Sequence, residues 1–205
     1  YQINMMKTYW ETGLYEKKAI FEAYFRKLPF ENGYAIFAGL ERLVHYIEDL
    51  TFSQTDLDYL RSLDIYPEEF LDYLKNFKFK GNIHSAVEGE LVFANEPLVQ
   101  VEGTLAECQL IETALLNIIN FQALIATKAS RIRTVAGDDP VLEFGTRRAQ
   151  ELDAALWGTR AAYIGGCNAT SNVRAGKMFG IPVSGTQFLH MKADSMMYSF
   201  CLHTG

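Results

Sequence analysis

Residues 104–136 constrain this chain more than any other stretch. Thr104-Leu105-Ala106-Glu107 has the hydroxyl-x-x-carboxylate order of a capping box, and apolar residues then recur at helical spacing until Gly137 supplies a stop. At about 1.5 Å per residue such a helix runs on the order of 50 Å if straight, so a bend or break is expected inside it, near Asn120.

The residues before the helix mix two periodicities. Residues 18–26 alternate, with Ala19, Phe21, Ala23 and Phe25 on one parity, which is a half-buried strand. Leu40, Leu43, Val44 and Ile47 fall at helical spacing, as do Leu57, Leu60, Phe70 and Leu74 with an interruption near Pro67. Residues 79–101 return to strands, punctuated by Gly81, Gly89 and Asn95-Glu96-Pro97. This predicts an α+β amino-terminal domain over residues 1–103, an antiparallel sheet with helices packed on it, followed by a long connecting helix region over residues 104–137.

After the helix the grammar changes. Val141-Leu142-Glu143-Phe144 reads as a strand, residues 149–157 as a helix and Ile164-Gly165-Gly166 as a short strand. A helix from Thr170 or Ser171 to Gly180 follows, then a strand opening at Ile181-Pro182-Val183. That alternation implies parallel βα units, whose functional groups gather at the carboxyl ends of the strands: here residues 144–147, 167–171 and 184–186. Residues 138–205 hold about two to three such units, whereas a closed barrel needs about eight strands. An incomplete α/β barrel is expected, at the front of a longer protein. The opening on Tyr1 rather than methionine leads to the further expectation that residues precede it.

Composition narrows the function classes. With 49% apolar or aromatic residues the chain can bury a core, and a net charge of -6 gives no footprint for a phosphate backbone, so no nucleic-acid partner is expected. Cys108, Cys167 and Cys201 are odd in number and widely spaced, which fits neither a disulfide framework nor a zinc site. No apolar run approaches about 20 residues and no secretory signal opens the chain. A soluble protein of the reducing cytoplasm, with no membrane partner, is expected.

Chemistry-bearing residues concentrate at the strand ends. Glu143-Phe144-Gly145-Thr146-Arg147-Arg148 places a glycine, a hydroxyl and two guanidinium groups where a strand gives way to a helix. Such forks pair bidentately with phosphate; the plainer reading is a glycine turn followed by solvated arginines. Thr170 or Ser171 reads equally as a helix cap or a pocket residue, and Val183-Ser184-Gly185-Thr186 repeats the small and hydroxyl character. Three such ends together suggest a pocket for a phosphate and a small ring. His45 and His84 have no partner in ligand spacing, so no metal ligand is assigned, and Asn117, Asn120, Gln122 and Lys128 are read as a solvated helix face.

Taken together, Tyr1-Gln2-x-x-Met5, Phe25-Arg26-Lys27-Leu28-Pro29, Phe37-Ala38-Gly39-Leu40, and residues 112–131, 143–150 and 157–186 resemble the nicotinate phosphoribosyltransferases. The long helix also resembles the quinolinate branch of the same superfamily. The resemblance implies a homodimer with a small α+β domain and an irregular α/β barrel, forming nicotinate mononucleotide and pyrophosphate from nicotinate and phosphoribosyl pyrophosphate. Mg2+ would serve the pyrophosphate, and ATP hydrolysis would be coupled through a phosphorylated histidine. It further implies that the tyrosine matching Tyr1, from the partner subunit, and Phe144 flank the pyridine ring. Arg147, with Thr146 beside it, serves the phosphoribosyl group, while Ser171 and Gly185-Thr186 line the pyridine pocket. The family's histidine position is occupied here by Leu189, with His190 one place late; on an alternating strand the two point in opposite directions. No resemblance extends over residues 187–205, and the 205 residues alone are expected to show no turnover. Two rival readings are a catalytically inactive chain that keeps a dimer or binding surface, and a transferase acting on nicotinamide or quinolinate.

Overall fold

The computed structural model describes residues 1–31 and 33–185. The helix that dominates the sequence dominates the structure: α5, Leu105–Ala136, is capped by Thr104, whose hydroxyl accepts from Glu107 N–H while the Glu107 carboxylate accepts from Thr104 N–H. Glu107 is itself buried, and its other oxygen accepts the Lys80 N–H at 2.7 Å, so the charge is satisfied on both sides. At the far end the Arg133 guanidinium donates to the Gly137 and Asp139 carbonyls and to Asn168 Oδ1. The helix runs unbroken through Asn120, contrary to the expected break. Packing along nearly its whole length accounts for that: a free helix gains little from hydrogen bonds alone, whereas this one is contacted in turn by α1, by strands and by two further helices.

Three groups of elements use α5 as their floor. The strands β1 (Lys18–Ala23), β3 (Asn82–Ser85) and β5 (Val99–Thr104) form an antiparallel sheet in the order β1-β5-β3, with Ala23 opposite Val99 and Ile83 opposite Val101. Its inner face presents Phe21, Ala23, Val99 and Val101 to Cys108, Ile111 and Leu115 of α5. The expected alternation holds, since Ile20 on the other parity is exposed. A short antiparallel pair, β2 (Ala35–Ile36) with β4 (Leu91–Val92), lies beside α2, Leu40–Glu48.

The second group is helical: α1 (Gln2–Glu11), α3 (Gln54–Ser62) and α4 (Glu68–Lys75) enclose Met6, Leu57, Phe70 and Leu74 against Ala106 and Leu110. The interruption near Pro67 separates α3 from α4 as expected, and Phe70 sits edge-on to Trp10 at 5.9 Å. The helix α1 went unread in the sequence, because Tyr1 offers no side-chain cap and its first turn has no acidic residue.

The third group begins at β6 (Leu142–Glu143). A 3-10 turn at Thr146–Arg148 leads into α6 (Leu152–Ile164), then β7 (Ala169–Thr170) and α7 (Val173–Phe179). β6 and β7 pair in parallel, and Val183 bridges Thr170 in parallel on the other side. This is the expected βα alternation, with its elements displaced: the helix expected over residues 149–157 runs from Leu152 to Ile164, Ile164-Gly165-Gly166 is the end of that helix and its exit turn and not a strand, and Thr170, expected at a helix start, closes β7. Two close approaches explain the glycines. A Cβ on Gly165 would stand 2.3 Å from the Ala126 carbonyl oxygen of α5, and Gly166 adopts φ +104 against the Arg133 side chain.

On length and composition α5 could cross a bilayer. Its packing against the sheet and the helices on several sides is that of a core helix. Gln122, read as solvated, is instead fully buried at 1% exposure, while Asn117, Asn120 and Lys128 do face solvent. His45 and His84 both lie on the surface, His84 near Glu102 at 3.7 Å.

A half-buried ion cluster ties α6 to the first part of the chain. Arg160 donates to Glu88 Oε1 at 2.9 Å and Oε2 at 2.6 Å, and to Glu41, while Glu88 Oε1 also accepts the Gly39 and Leu40 N–H groups. Burial pushes the Glu88 carboxyl up, but the Arg160 guanidinium and the two amides outweigh it and hold it below its ordinary value. A group so depressed adds stability that is complete above the ordinary carboxylate pKa of about 4.3 and is lost as pH falls through its folded value. The gap in urea unfolding free energy between the wild type and Glu88→Gln is therefore expected to be constant from neutral pH down to about pH 5 and to narrow progressively as the pH falls further. A gap that persists in acid would show that the charge contributes nothing.

Candidate functional site

The parallel hydrogen bonds place three chain turns at one edge. Asn168 N–H donates to the Val141 carbonyl at 2.7 Å and Ser171 N–H to the Glu143 carbonyl at 3.2 Å, which aligns the ends of β6 and β7. On the other side Thr170 N–H donates to the Pro182 carbonyl at 3.0 Å and Ser184 N–H to the Thr170 carbonyl at 2.9 Å. Residues 144–147, Ser171, and Ser184 with Gly185 thus leave adjacent parallel segments in the same direction. Thr186 and His190 lie outside the described residues.

Of the first turn, Phe144 is 36% exposed, and the Arg147 and Arg148 side chains are exposed, their guanidinium groups making no hydrogen bond or ion pair among the described residues. The Thr146 hydroxyl oxygen is shut off from solvent and has no partner among them. A buried hydroxyl normally finds one, so this turn has unmet hydrogen-bonding capacity next to unpaired positive charge. Ser171 is exposed and is not the cap of α7. That role belongs to Asn172, whose Oδ1 accepts the Ala175 N–H at 3.1 Å.

Sequence reasoning missed the residue that holds these turns together. One Glu143 oxygen accepts the Gly145 N–H; the other lies 2.8 Å from the Thr159 hydroxyl and 2.7 Å from that of Thr170. Thr159 and Thr170 are buried, and the Thr170 hydroxyl accepts in turn from Asn172 N–H at 2.9 Å. The available signal was a carboxylate inside a strand and directly before a glycine turn, because a half-buried charge requires several donors.

Tyr1 is elsewhere. It is 68% exposed, its hydroxyl donates to Glu112 Oε2 at 2.5 Å, and it borders a cleft of about 460 Å³ with Tyr24, Phe25, Leu116 and Asn117, none of which belongs to the strand-end turns. The hydrogen bond to Glu112 raises its pKa. The thiols of Cys108 and Cys167 are pushed up by burial, which keeps them protonated and unreactive.

A layer of sheet and helices on one long helix, followed by parallel strands whose carboxyl ends carry small residues and guanidinium groups unpaired among the described residues, defines an α+β domain continued by βα units with its candidate ligand groups along one sheet edge. Its relatives are more specific. Residues 1–120 match the family model of the nicotinate phosphoribosyltransferase (NAPRTase) N-terminal domain. The chain belongs to the nicotinate phosphoribosyltransferase family. It is 63% identical to the nicotinate phosphoribosyltransferase of Bacillus subtilis over 186 residues, covering 91% of this chain and 38% of that protein. Among solved structures it resembles human nicotinic acid phosphoribosyltransferase with a TM-score of 0.86 and 36% identity, over 92% of this chain and 38% of that one. It also resembles nicotinate-nucleotide pyrophosphorylase from Pyrococcus furiosus, with a TM-score of 0.70 and 26% identity, over 90% of this chain and 40% of that one. The chain thus spans well under half the length of these relatives.

Proposed function

We propose that the protein containing this chain transfers a phosphoribosyl group from phosphoribosyl pyrophosphate to nicotinate, giving nicotinate mononucleotide and pyrophosphate in NAD biosynthesis. The observation that carries this reading is the Phe144–Arg147 turn: an exposed aromatic face and unpaired guanidinium groups at the carboxyl end of a parallel strand, in a chain of this family.

In this reaction the pyridine nitrogen forms a bond to the ribose C1 while the C1–O bond to pyrophosphate breaks, and its electron pair leaves with the pyrophosphate. Positive charge develops on the sugar, so the protein's contribution is positioning and charge placement. Phe144 offers a face for the flat pyridine ring and Arg147, with Thr146 beside it in the turn, a two-pronged donor for phosphate oxygens. The turns at Ser171 and at Gly185 border the ring. The remaining strands of an α/β barrel and a second subunit, supplying Tyr1 to the ring, complete the site in this reading, and the protein works in the cytoplasm.

Among the described residues no group of three or more His, Cys, Asp or Glu side chains could hold a metal ion. In this reading Mg2+ would neutralise charge on the pyrophosphate, and ATP hydrolysis would be coupled by the complete protein.

The reading is tested by supplying the complete protein with phosphoribosyl pyrophosphate and labelled nicotinate, nicotinamide or quinolinate. Nicotinate is expected to give the highest kcat/KM. Preference for either rival overturns the substrate, and absence of turnover with all three favours the inactive chain.

A further inference from the structure

We infer that Glu143 is a positioning residue that fixes the Arg147 turn against the Ser171 turn, an inference that rests on the phosphoribosyl transfer proposed above. Its carboxylate meets groups from three elements: the Gly145 N–H in the turn, the Thr170 hydroxyl on β7, and the Thr159 hydroxyl on α6, whose single proton it shares with the Ala155 carbonyl at the same 2.8 Å. Its own carbonyl accepts the Ser171 N–H at 3.2 Å. Main chain and side chain of one residue therefore tie both strand ends together. Asn172 N–H extends the chain of bonds through the Thr170 hydroxyl to the start of α7.

Each carboxylate oxygen accepts from the protein, one from the Gly145 N–H and the other from the buried Thr170 hydroxyl with buried Thr159 beside it, an arrangement that holds the carboxylate against its own fold. Gly145 belongs to the same device, since a Cβ there would stand 2.9 Å from Glu143 Oε1 and push the carboxylate off the turn. Arg147, two residues further on, has no hydrogen bond or ion pair of its own among the described residues. Its place relative to the ligand is inherited from the turn.

Three variants of the complete protein test this. An amide has one acceptor oxygen and one donor nitrogen where a carboxylate has two acceptors, so Glu143→Gln either leaves the Gly145 N–H facing a donor or reverses the bond to the Thr170 hydroxyl, whose proton then loses its acceptor. Thr170→Val removes that hydroxyl at nearly constant volume, and Thr170→Ser keeps it while removing a buried methyl. Glu143→Gln and Thr170→Val are expected to raise KM for phosphoribosyl pyrophosphate about tenfold or more, with KM for nicotinate changed less than about twofold; Thr170→Ser should keep the wild-type value. A purely structural role predicts losses of folded protein and kcat that follow packing, with Thr170→Ser affected at least as much as Thr170→Val. If Glu143→Gln does not fold, the Thr170 pair decides. Unchanged KM for phosphoribosyl pyrophosphate in an active wild-type background overturns the inference alone. An inactive wild type overturns the proposed reaction and the inference with it.

Discussion

Arg147→Ala in the complete protein is expected to lower kcat/KM by on the order of 100-fold, through KM for phosphoribosyl pyrophosphate, while leaving the thermal midpoint unchanged. The two halves of that result have separate causes. A two-pronged guanidinium bond to a phosphate contributes about 3 kcal/mol, and every 1.4 kcal/mol is about tenfold in affinity. The same side chain is exposed and makes no hydrogen bond or ion pair among the described residues, so the fold loses nothing with it. Arg147→Lys keeps the charge and loses the fork, and most of the defect should remain. Steady-state kinetics with phosphoribosyl pyrophosphate varied, beside a thermal melt, measures both halves. A variant with wild-type kinetics would leave the first turn with nothing but solvated arginines.

The largest effect on stability is expected at Gly165. Its φ of -72 suits any residue, so the constraint is space: a Cβ would stand 2.3 Å from the Ala126 carbonyl oxygen and 2.7 Å from the Ala129 Cβ on α5. Backbone cannot yield as a side-chain tip can, and Gly165→Ala should cost about 3 kcal/mol, or roughly 6 to 12 °C in a chain of this size. Gly158 is the control on the same helix. There the nearest atom to an added Cβ is the Ile125 Cδ1 at 3.1 Å, the end of a flexible side chain, and a helical alanine gains up to about 1 kcal/mol over glycine. Gly158→Ala should therefore melt close to the wild type. Equal melting of the two variants would mean that α6 does not approach α5 closely at Gly165.

These two residues also mark the limit of what the sequence could reveal. Signals that act within a few residues were legible: the Thr104 and Glu107 capping box, the break at Pro67, the alternation of Ala19, Phe21 and Ala23, and the βα rhythm after residue 138. Gly165 and Gly166 were misread as part of a strand because the reason for them lies on another helix, at Ala126 and Arg133. Gln122 was placed in solvent because its own helix is apolar nearly all round, and periodicity cannot say which face is covered. The same applies to the site. The motif around Arg147 and the direction of the strand ends could be read from residue types, whereas the groups that converge on Glu143 come from positions 145, 159 and 170 and meet only in the fold. Phe37-Ala38-Gly39-Leu40, which carries part of the family resemblance, proves to be structural. Phe37 and Ala38 are buried, and Gly39, at φ +115, gives its N–H to Glu88 beneath Arg160.

The central claim is that the turns at residues 144–147, 171 and 184–185 jointly form the pocket for a pyridine acid and a sugar phosphate. The complete protein crystallised with nicotinate mononucleotide measures this directly. The account predicts the nucleotide phosphate within hydrogen-bond distance of the Arg147 guanidinium and the pyridine ring stacked on Phe144. A nucleotide bound elsewhere, with Arg147 still facing water, would contradict it.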